Sequence, residues 1–501
     1  MGRTAEATLV DKAFDSFDFT ADTEASNALR RATDAFSMDK TGEVVTLVRQ
    51  LLEKVLQSEA AVSIAWTRVY VFGSSGLCAA ITGSDIDLIA LCSASVNTNL
   101  FFQKFPRSAE GRLQDVVVVT SARVPLIKFS YNGVHVDLLF ASVDMQTAPN
   151  TEELLSDDFL PRVSLPCRAT VNGIRTILEI RRCLPLPLDV YSCVLRAVKY
   201  WAAQRQVYGN LYTFPNGVCL AIMVARACQY CPVKDCSVIF RFFFSLYAWW
   251  FVRGTRIDPI SIIVPEGEKA AMARVPGMPS PWDPVWDAND LLPVLNPARP
   301  TVNAAHAVGR SGLQLFFKEL LRAEQLCAQV PLPYSALWEP YTILDEYRFF
   351  AGVHITSEHQ SLVACEDTIN AWKGYVESKL RIFVYALECV AEVRPFPRPV
   401  VDEPPREVTR SGVAMHARSR AFFFGVRNGN KDVARSDVEA AFGEFEFAVM
   451  EGTTGKNPFE CDRAVMLGPR LSFFSIYDPL TTDSPCQALY SACTAVMGSV
   501  V

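Results

Sequence analysis

The chain has 501 residues, half of them apolar and a fifth charged, with 48 Lys and Arg against 54 Asp and Glu and a net charge of -6. This composition excludes disorder for the bulk of the chain and a surface coated in positive charge, so a nucleic-acid role must rest on a local patch. A membrane span is not expected: the most apolar run, VIFRFFFSLYAWWFV at Val238–Val252, is shorter than the ~20 residues a bilayer requires, and Arg241 interrupts it.

At about 100–200 residues per domain, the length predicts about three domains. MGRTAEATLV at the N-terminus has no apolar signal core, and Glu6 breaks the myristoylation pattern. The fifteen Cys form no framework. The Cys228-x-x-Cys231 pair has neither a second such pair nor a nearby His to make a zinc site, so a reducing compartment fits.

In chain order, residues 1 to about 60 read as helical and acidic, with Val45, Leu47, Val48, Leu51, Leu52, Val55 and Leu56 at helical spacing. From 66 to 145 the texture turns to β-type runs: VYVFG, DIDLIAL, DVVVVTSARVPLIKFS and VHVDLLFA. Asn132–Gly133 reads as a hairpin turn between the last two. Residues 180–252 are patterned as helices. Seven prolines between Pro276 and Pro300 predict an extended connector over a surface. Helical patterning returns at Gly312–Gln329. Residues 340–490 alternate β-type runs (YRFFAGVHI, SRAFFFGV, FEFAVM, LSFFSIYD) with one helix at Asp367–Glu388, which predicts a small α+β sandwich. The Pro-rich segment Pro395–Pro405 reads as a loop inside it.

The chemistry concentrates at Val71–Leu91, VFGSSGLCAAITGSDIDLIAL. Asp85 and Asp87 are two apart in an apolar run, so on a strand they share a face. Two acids held together repel unless a cation sits between them, and a hard divalent ion with oxygen ligands is the natural occupant. Gly73, Ser74 and Ser75 form a turn that can offer N–H groups and hydroxyls to a phosphate. Asp137, in VHVDLLF, is a third acid on a later strand. Each element alone has an ordinary reading, as a turn, an exposed edge or a strand-end acid. Together they are the equipment for in-line phosphoryl or nucleotidyl transfer, because buried carboxylates need partners.

FGS followed by DID and an isolated Asp resembles the DNA-polymerase-β-like nucleotidyltransferase superfamily. VPLIKFSYNGVHVDLLFA (Val124–Ala141), VLRAVKYWAAQRQVYGN (Val194–Asn210), FPNGV (Phe214–Val218), MVARACQ (Met223–Gln229) and YVESKLRI (Tyr375–Ile382) narrow the resemblance to eukaryotic nuclear-type poly(A) polymerases over about residues 15–490. The resemblance implies a multidomain α+β fold. It comprises a nucleotidyltransferase palm of mixed sheet and helices (15–178), a helical middle domain on the side of the base (179–332, with the N-terminal ~15 residues as a further part) and an RRM-like sandwich that binds RNA (333–495). ATP would bind between the first two, and RNA would enter between the first and last.

By the same resemblance, Asp85, Asp87 and Asp137 are the catalytic residues and the ligands of two divalent cations, Mg2+ or Mn2+. Phe72, Gly73, Ser74, Lys199, Tyr208, Asn210, Gly217 and Val218 match nucleotide contacts. Lys128, Lys379 and Arg381 match positions facing RNA. Read alone, Lys199 is a helix lysine with its stem along apolar surface, Tyr208 and Asn210 are a helix end and a turn, and Lys128 is an exposed strand lysine. The sequence departs from the family at Ser75–Ala80, at Ile81 and at Asn216, which bears on the grip on the triphosphate. Seven basic residues against two acids in 406–435 mark a local basic stretch, readable as an RNA contact or as an ordinary solvated face.

The implied activity is addition of AMP from ATP to RNA 3′ ends. Uridylyl or mixed-nucleotide transfer is the alternative within the class, and an RNA-binding scaffold of the same fold the alternative outside it. The implied partners are ATP, a single-stranded RNA 3′ end and pre-mRNA 3′-processing factors, with no membrane and a monomeric chain. The implied location is the nucleus, with the cytoplasm as the alternative.

Overall fold

The structure is a computed structural model that describes residues 17–37, 40–57, 66–120, 124–252, 258–264, 275–347, 349–396, 401–410, 412–427, 434–449 and 470–476. The chain divides into two compact units. The first holds residues 1–200, 217–306 and 324–332, and the second 201–216, 307–323 and 333–501.

The first unit is built on a five-stranded mixed sheet of β1 (Thr67–Phe72), β2 (Ile86–Ser93), β3 (Gln114–Val119), β4 (Leu126–Tyr131) and β5 (Val134–Val143), in the order β1-β2-β5-β4-β3. β2 and β5 run parallel, and the other neighbours are antiparallel. Strand alternation sends Ile86, Leu88 and Ala90 of β2, and Val136, Leu138 and Phe140 of β5, to one face. There they join a core with Val44, Leu47, Val48, Leu51, Leu52 and Val55 of helix α2 (Thr41–Gln57) and Phe101, Phe102 and Phe105 of α3 (Thr98–Ser108). The preceding helix, α1 (Thr23–Asp34), is capped by Asp22, whose side chain accepts from the Ala25 N–H. Asn132 and Gly133 close the β4–β5 hairpin at φ +49° and +75°, the left-handed pair a tight two-residue hairpin requires.

The longer helices that follow are α4 (Asn172–Cys183), α5 (Leu188–Gln204), α6 (Gly217–Tyr230) and α7 (Cys236–Val252). The apolar run Val238–Val252 is inside α7 and largely buried. Among the described residues no helix is long and apolar enough to cross a membrane. The proline-rich segment differs from the expected surface connector, because Leu292, Val294 and Ala298 are buried. Buried backbone N–H groups need acceptors, and two asparagines supply them. Asn303 accepts from Val294 and Ala305, and Asn296 accepts from Ala298.

The second unit contains part of α8 (Arg310–Cys327), helices α9 (Leu362–Glu377), α10 (Leu380–Leu387) and α11 (Arg435–Phe447), and a second sheet. Its strands are β6 (Phe349–His359), β7 (Glu392–Pro395), β8 (Val401–Arg410), β9 (Val413–Arg427) and β10 (Arg470–Ile476). The order is β10-β6-β9-β7, with β8 pairing β9. Phe383, Phe424, Phe442 and Phe445 make an aromatic cluster between helices and sheet.

Three expectations for this unit are corrected. FEFAVM is helical through Phe447, because Val438, Ala441, Phe442 and Phe445 bury one helical stripe. The expected helix Asp367–Glu388 is two, α9 and α10, parted at Ser378 and Lys379. The expected loop Pro395–Pro405 contains the start of β8, whose prolines Pro404 and Pro405 fall where the β8–β9 register shifts, as an edge strand permits.

Candidate active site

One row of residues crosses the first sheet from end to end. Phe72 of β1 is the Cα partner of Asp87, Asp87 of Asp137, Asp137 of Lys128, and Lys128 of Val117. Directly paired residues share a face, so four residues singled out from the sequence, Phe72, Asp87, Asp137 and Lys128, stand side by side. Asp85 comes two residues before Asp87, at the entry to β2. The face they share is opposite the one that α2 and α3 cover.

The carboxylates act on one another. Burial pushes the Asp87 carboxyl up to about 7, with Asp137 and then Asp85 adding to the shift and Lys199 and Lys128 opposing it. Asp85 is raised by burial and then by Asp137. Lys128 Nζ donates to both oxygens of Asp137, at 3.0 and 3.1 Å. Among the described residues no three His, Cys, Asp or Glu side chains already stand as a ligand cluster. The donor set still suits a hard divalent ion, since three acids on one face supply only oxygen and lack enough positive charge to balance them.

The turn after β1 is shaped around Asp87. Gly73 sits at φ +60°, and a Cβ there would overlap the Asp87 carboxylate. Only glycine meets both demands. Gly73–Gly76 is a single helical turn that carries Ser74 and Ser75. Ser75 Oγ is buried without a hydrogen-bond partner. The Phe72 ring lies on the backbone of α4, where a Cβ on Gly173 would come within 2.8 Å of it. Sequence reading did not single out Gly173.

Helix α5 holds the segment that departs from the family pattern. Ser192 Oγ lies 2.7 Å from Leu77 O and 2.6 Å from Leu188 O, Arg196 Nη1 donates to Cys78 O at 2.9 Å, and Lys199 Nζ donates to Ala79 O at 3.2 Å. Residues 192, 196 and 199 follow the helical spacing of one face, so a single stripe holds three consecutive carbonyls. Lys199 is 4% exposed. Burial lowers its ammonium to about 8, against the opposing pull of Asp87. Ser192 and Arg196 were missed from sequence, although their spacing to Lys199 was readable. Gly217 and Val218 are the first residues of α6, in the same unit.

Tyr208 and Asn210 belong to the second unit, where they line a cavity of about 220 Å3 with Ala203, Gln206, Gly209, Leu211 and Tyr212. Gly209 makes the loop at φ +115°; its N–H donates to Pro215 O, and its carbonyl accepts from Phe214. Tyr212 Oη donates to Glu377 of α9 at 2.8 Å. Arg205, just before the loop, donates twice to buried Glu319, at 2.8 and 3.1 Å, and once to Glu339 O. Arg394 donates to Arg205 O and stacks 3.8 Å over the Tyr341 ring.

Lys379 and Arg381 lie at the start of α10, with Lys379 Nζ 5.8 Å from the Tyr375 ring centroid. In the basic stretch 406–435, Arg410, Arg418 and Arg427 pair with Glu358, Glu366 and Glu392. Arg420 donates to Asn370, and Lys431 lies outside the described residues.

Known proteins give this geometry its context. Residues 40–184 match the family model of the poly(A) polymerase nucleotidyltransferase domain, and residues 190–340 that of the poly(A) polymerase central domain. The chain belongs to the poly(A) polymerase family. It is 30% identical over 358 residues to poly(A) polymerase pla1 of Schizosaccharomyces pombe, covering 69% of this chain and 58% of that protein. To poly(A) polymerase PAPalpha of Candida albicans it is 30% identical over 374 residues, covering 70% and 63%. To nuclear poly(A) polymerase 2 of Arabidopsis thaliana it is 26% identical over 415 residues, covering 79% and 48%. The chain thus spans about half to three-fifths of the length of the curated relatives it matches. Among solved structures, a Cid1 structure described for its RNA terminal uridylyl transferase activity aligns with TM-score 0.44 at 14% identity, over 64% of this chain and 99% of that one.

Proposed function

We propose that this chain transfers AMP from ATP to the 3′ end of single-stranded RNA without a template. The observation that carries the reading is the row Phe72–Asp87–Asp137–Lys128, with Asp85 two residues from its centre and Gly73 closed against it. Asp85, Asp87 and Asp137 would hold divalent cations, two in this reading, Mg2+ or Mn2+. When bound, these would favour the alkoxide form of the RNA 3′-hydroxyl and offset charge on the leaving pyrophosphate.

The protein's own groups orient the substrates. In this reading the N–H groups of the Gly73–Gly76 turn and the Ser74 hydroxyl would meet phosphate oxygens. Lys199 places one fixed positive charge against the developing negative charge of the triphosphate. In the first unit this reading takes Phe72, Gly217 and Val218 as further nucleotide contacts and Lys128 as an RNA contact; in the second it takes Tyr208 and Asn210 as nucleotide contacts and Lys379 and Arg381 as RNA contacts. In domain terms, we read 15–178 as the palm, 179–332 as the helical middle domain and 333–495 as RRM-like. The names of the curated relatives support adenylyl transfer and, through the Arabidopsis protein, nuclear residence. A monomeric chain recruited by pre-mRNA 3′-processing factors belongs to the same reading.

The test is extension of an oligo(A) primer, with each of the four NTPs supplied separately. ATP should be incorporated in preference to the others, and Asp137→Ala should lower AMP incorporation by roughly a thousandfold with the circular-dichroism spectrum unchanged. Extension by Asp137→Ala at near the wild-type rate would falsify the assignment.

A further inference from the structure

Strand register makes Lys128 and Asp137 Cα partners on β4 and β5. Both Asp137 oxygens accept from the one ammonium, at 3.0 and 3.1 Å. The lysine side chain is 51% exposed and the aspartate 21%. A half-exposed lysine has water available on its far side. Here it turns inward, toward the edge of a face carrying Asp85, Asp87 and Asp137. Two lysines oppose the charge on that face, and they differ in exposure. Lys199 is buried and fixed to Ala79 O. Lys128 sits on a flexible stem with solvent beside it, so it can leave without opening the fold.

We infer that Lys128 is the built-in counter-ion of the metal-free site, held on Asp137 until a divalent cation displaces it, and that it thereby lowers the affinity of the site for a free cation. The inference rests on the three aspartates being cation ligands. An ammonium on both oxygens of a carboxylate competes directly for the lone pairs a cation would use. Its positive charge also repels an incoming ion across the few ångströms between them. A bare ion is therefore disfavoured relative to one that arrives with a triphosphate, whose negative charge outweighs that of the lysine. Lys128 acts here as a positioning residue, through Asp137.

The test measures Mn2+ binding to the full chain without nucleotide or RNA, reading free Mn2+ by electron paramagnetic resonance. Lys128→Met, and Lys128→Gln as a second neutral variant, should bind Mn2+ about five- to tenfold more tightly than the wild type. Lys128→Arg keeps the charge and should stay within about twofold. Saturating Mn2+ should also raise the melting temperature of Lys128→Met by more than that of the wild type. A lysine with a merely structural role would leave the affinity unchanged or weaken it on removal, and either result for the neutral variants overturns the inference. Tightening by Lys128→Arg equal to that of Lys128→Met would also overturn it. If neither the wild type nor the neutral variants bind Mn2+, the ligand assignment falls with the inference. Equal binding by all of them overturns the inference and leaves the assignment standing.

Discussion

The two sheets share the same pleated geometry and treat charge in opposite ways. In the second unit several charged side chains are matched by ion pairs: Arg205 with Glu319, Arg410 with Glu358, Arg418 with Glu366, Arg427 with Glu392. On the first sheet Asp85, Asp87 and Asp137 crowd one face, Asp137 alone of the three is ion-paired among the described residues, to Lys128, and burial and mutual repulsion push Asp87 up to about 7. Matched charge stabilises or orders a fold, whereas unmatched charge costs stability and persists where chemistry uses it. The contrast fits the proposed reading of the first sheet as the reacting centre and of the ion pairs of the second unit as structure.

Substitutions in the two regions should therefore fail in different ways. Asp87→Asn should lower AMP incorporation by roughly a thousandfold or more while leaving the melting temperature unchanged or raised, since it removes a charge the fold does not balance. Glu319→Ala should do the reverse. It strands the buried Arg205 guanidinium and should cost about 3–5 kcal/mol in urea unfolding, with Mn2+ affinity unchanged. If Glu319→Ala changed Mn2+ affinity at full stability, the comparison would break. Gly73→Ala combines both effects, because a left-handed residue gains a Cβ that overlaps Asp87. A loss of about 1–3 kcal/mol together with a large fall in turnover is expected from thermal melts and primer extension. Arg196→Met should have the smallest effect, roughly a three- to tenfold rise in KM for ATP with kcat less affected, because it loosens only the Cys78 carbonyl and the ion pair with Asp34. An unchanged KM would remove the α5 stripe from the account.

Much of the first sheet was legible before the structure. β-type runs marked its strands, although DVVVVTSARVPLIKFS covers two of them, Asn132–Gly133 fixed the hairpin, and the i, i+2 spacing set Asp85 beside Asp87 at the entry to β2. The hairpin also makes Lys128 the partner of Asp137, but their contact needs side-chain geometry that register alone does not supply. The α5 stripe was hidden because Ser192, Arg196 and Lys199 read as ordinary helix polar residues until the carbonyls of Leu77, Cys78 and Ala79 lie beneath them. The second unit was harder to read. FEFAVM is rich in residues that favour strands, and tertiary burial of Phe442 and Phe445 overrode that preference. The prolines of β8 hid an edge strand, and those after Pro276 hid a buried segment whose polar backbone depends on Asn296 and Asn303.

The most direct test of the central claim is anomalous diffraction at the manganese edge from crystals of the full chain soaked in Mn2+ and a non-hydrolysable ATP analogue. The account predicts anomalous peaks within about 2–2.5 Å of carboxylate oxygens of Asp85, Asp87 and Asp137, at least one of them shared. Peaks elsewhere, with Asp137 still joined only to Lys128, would contradict it.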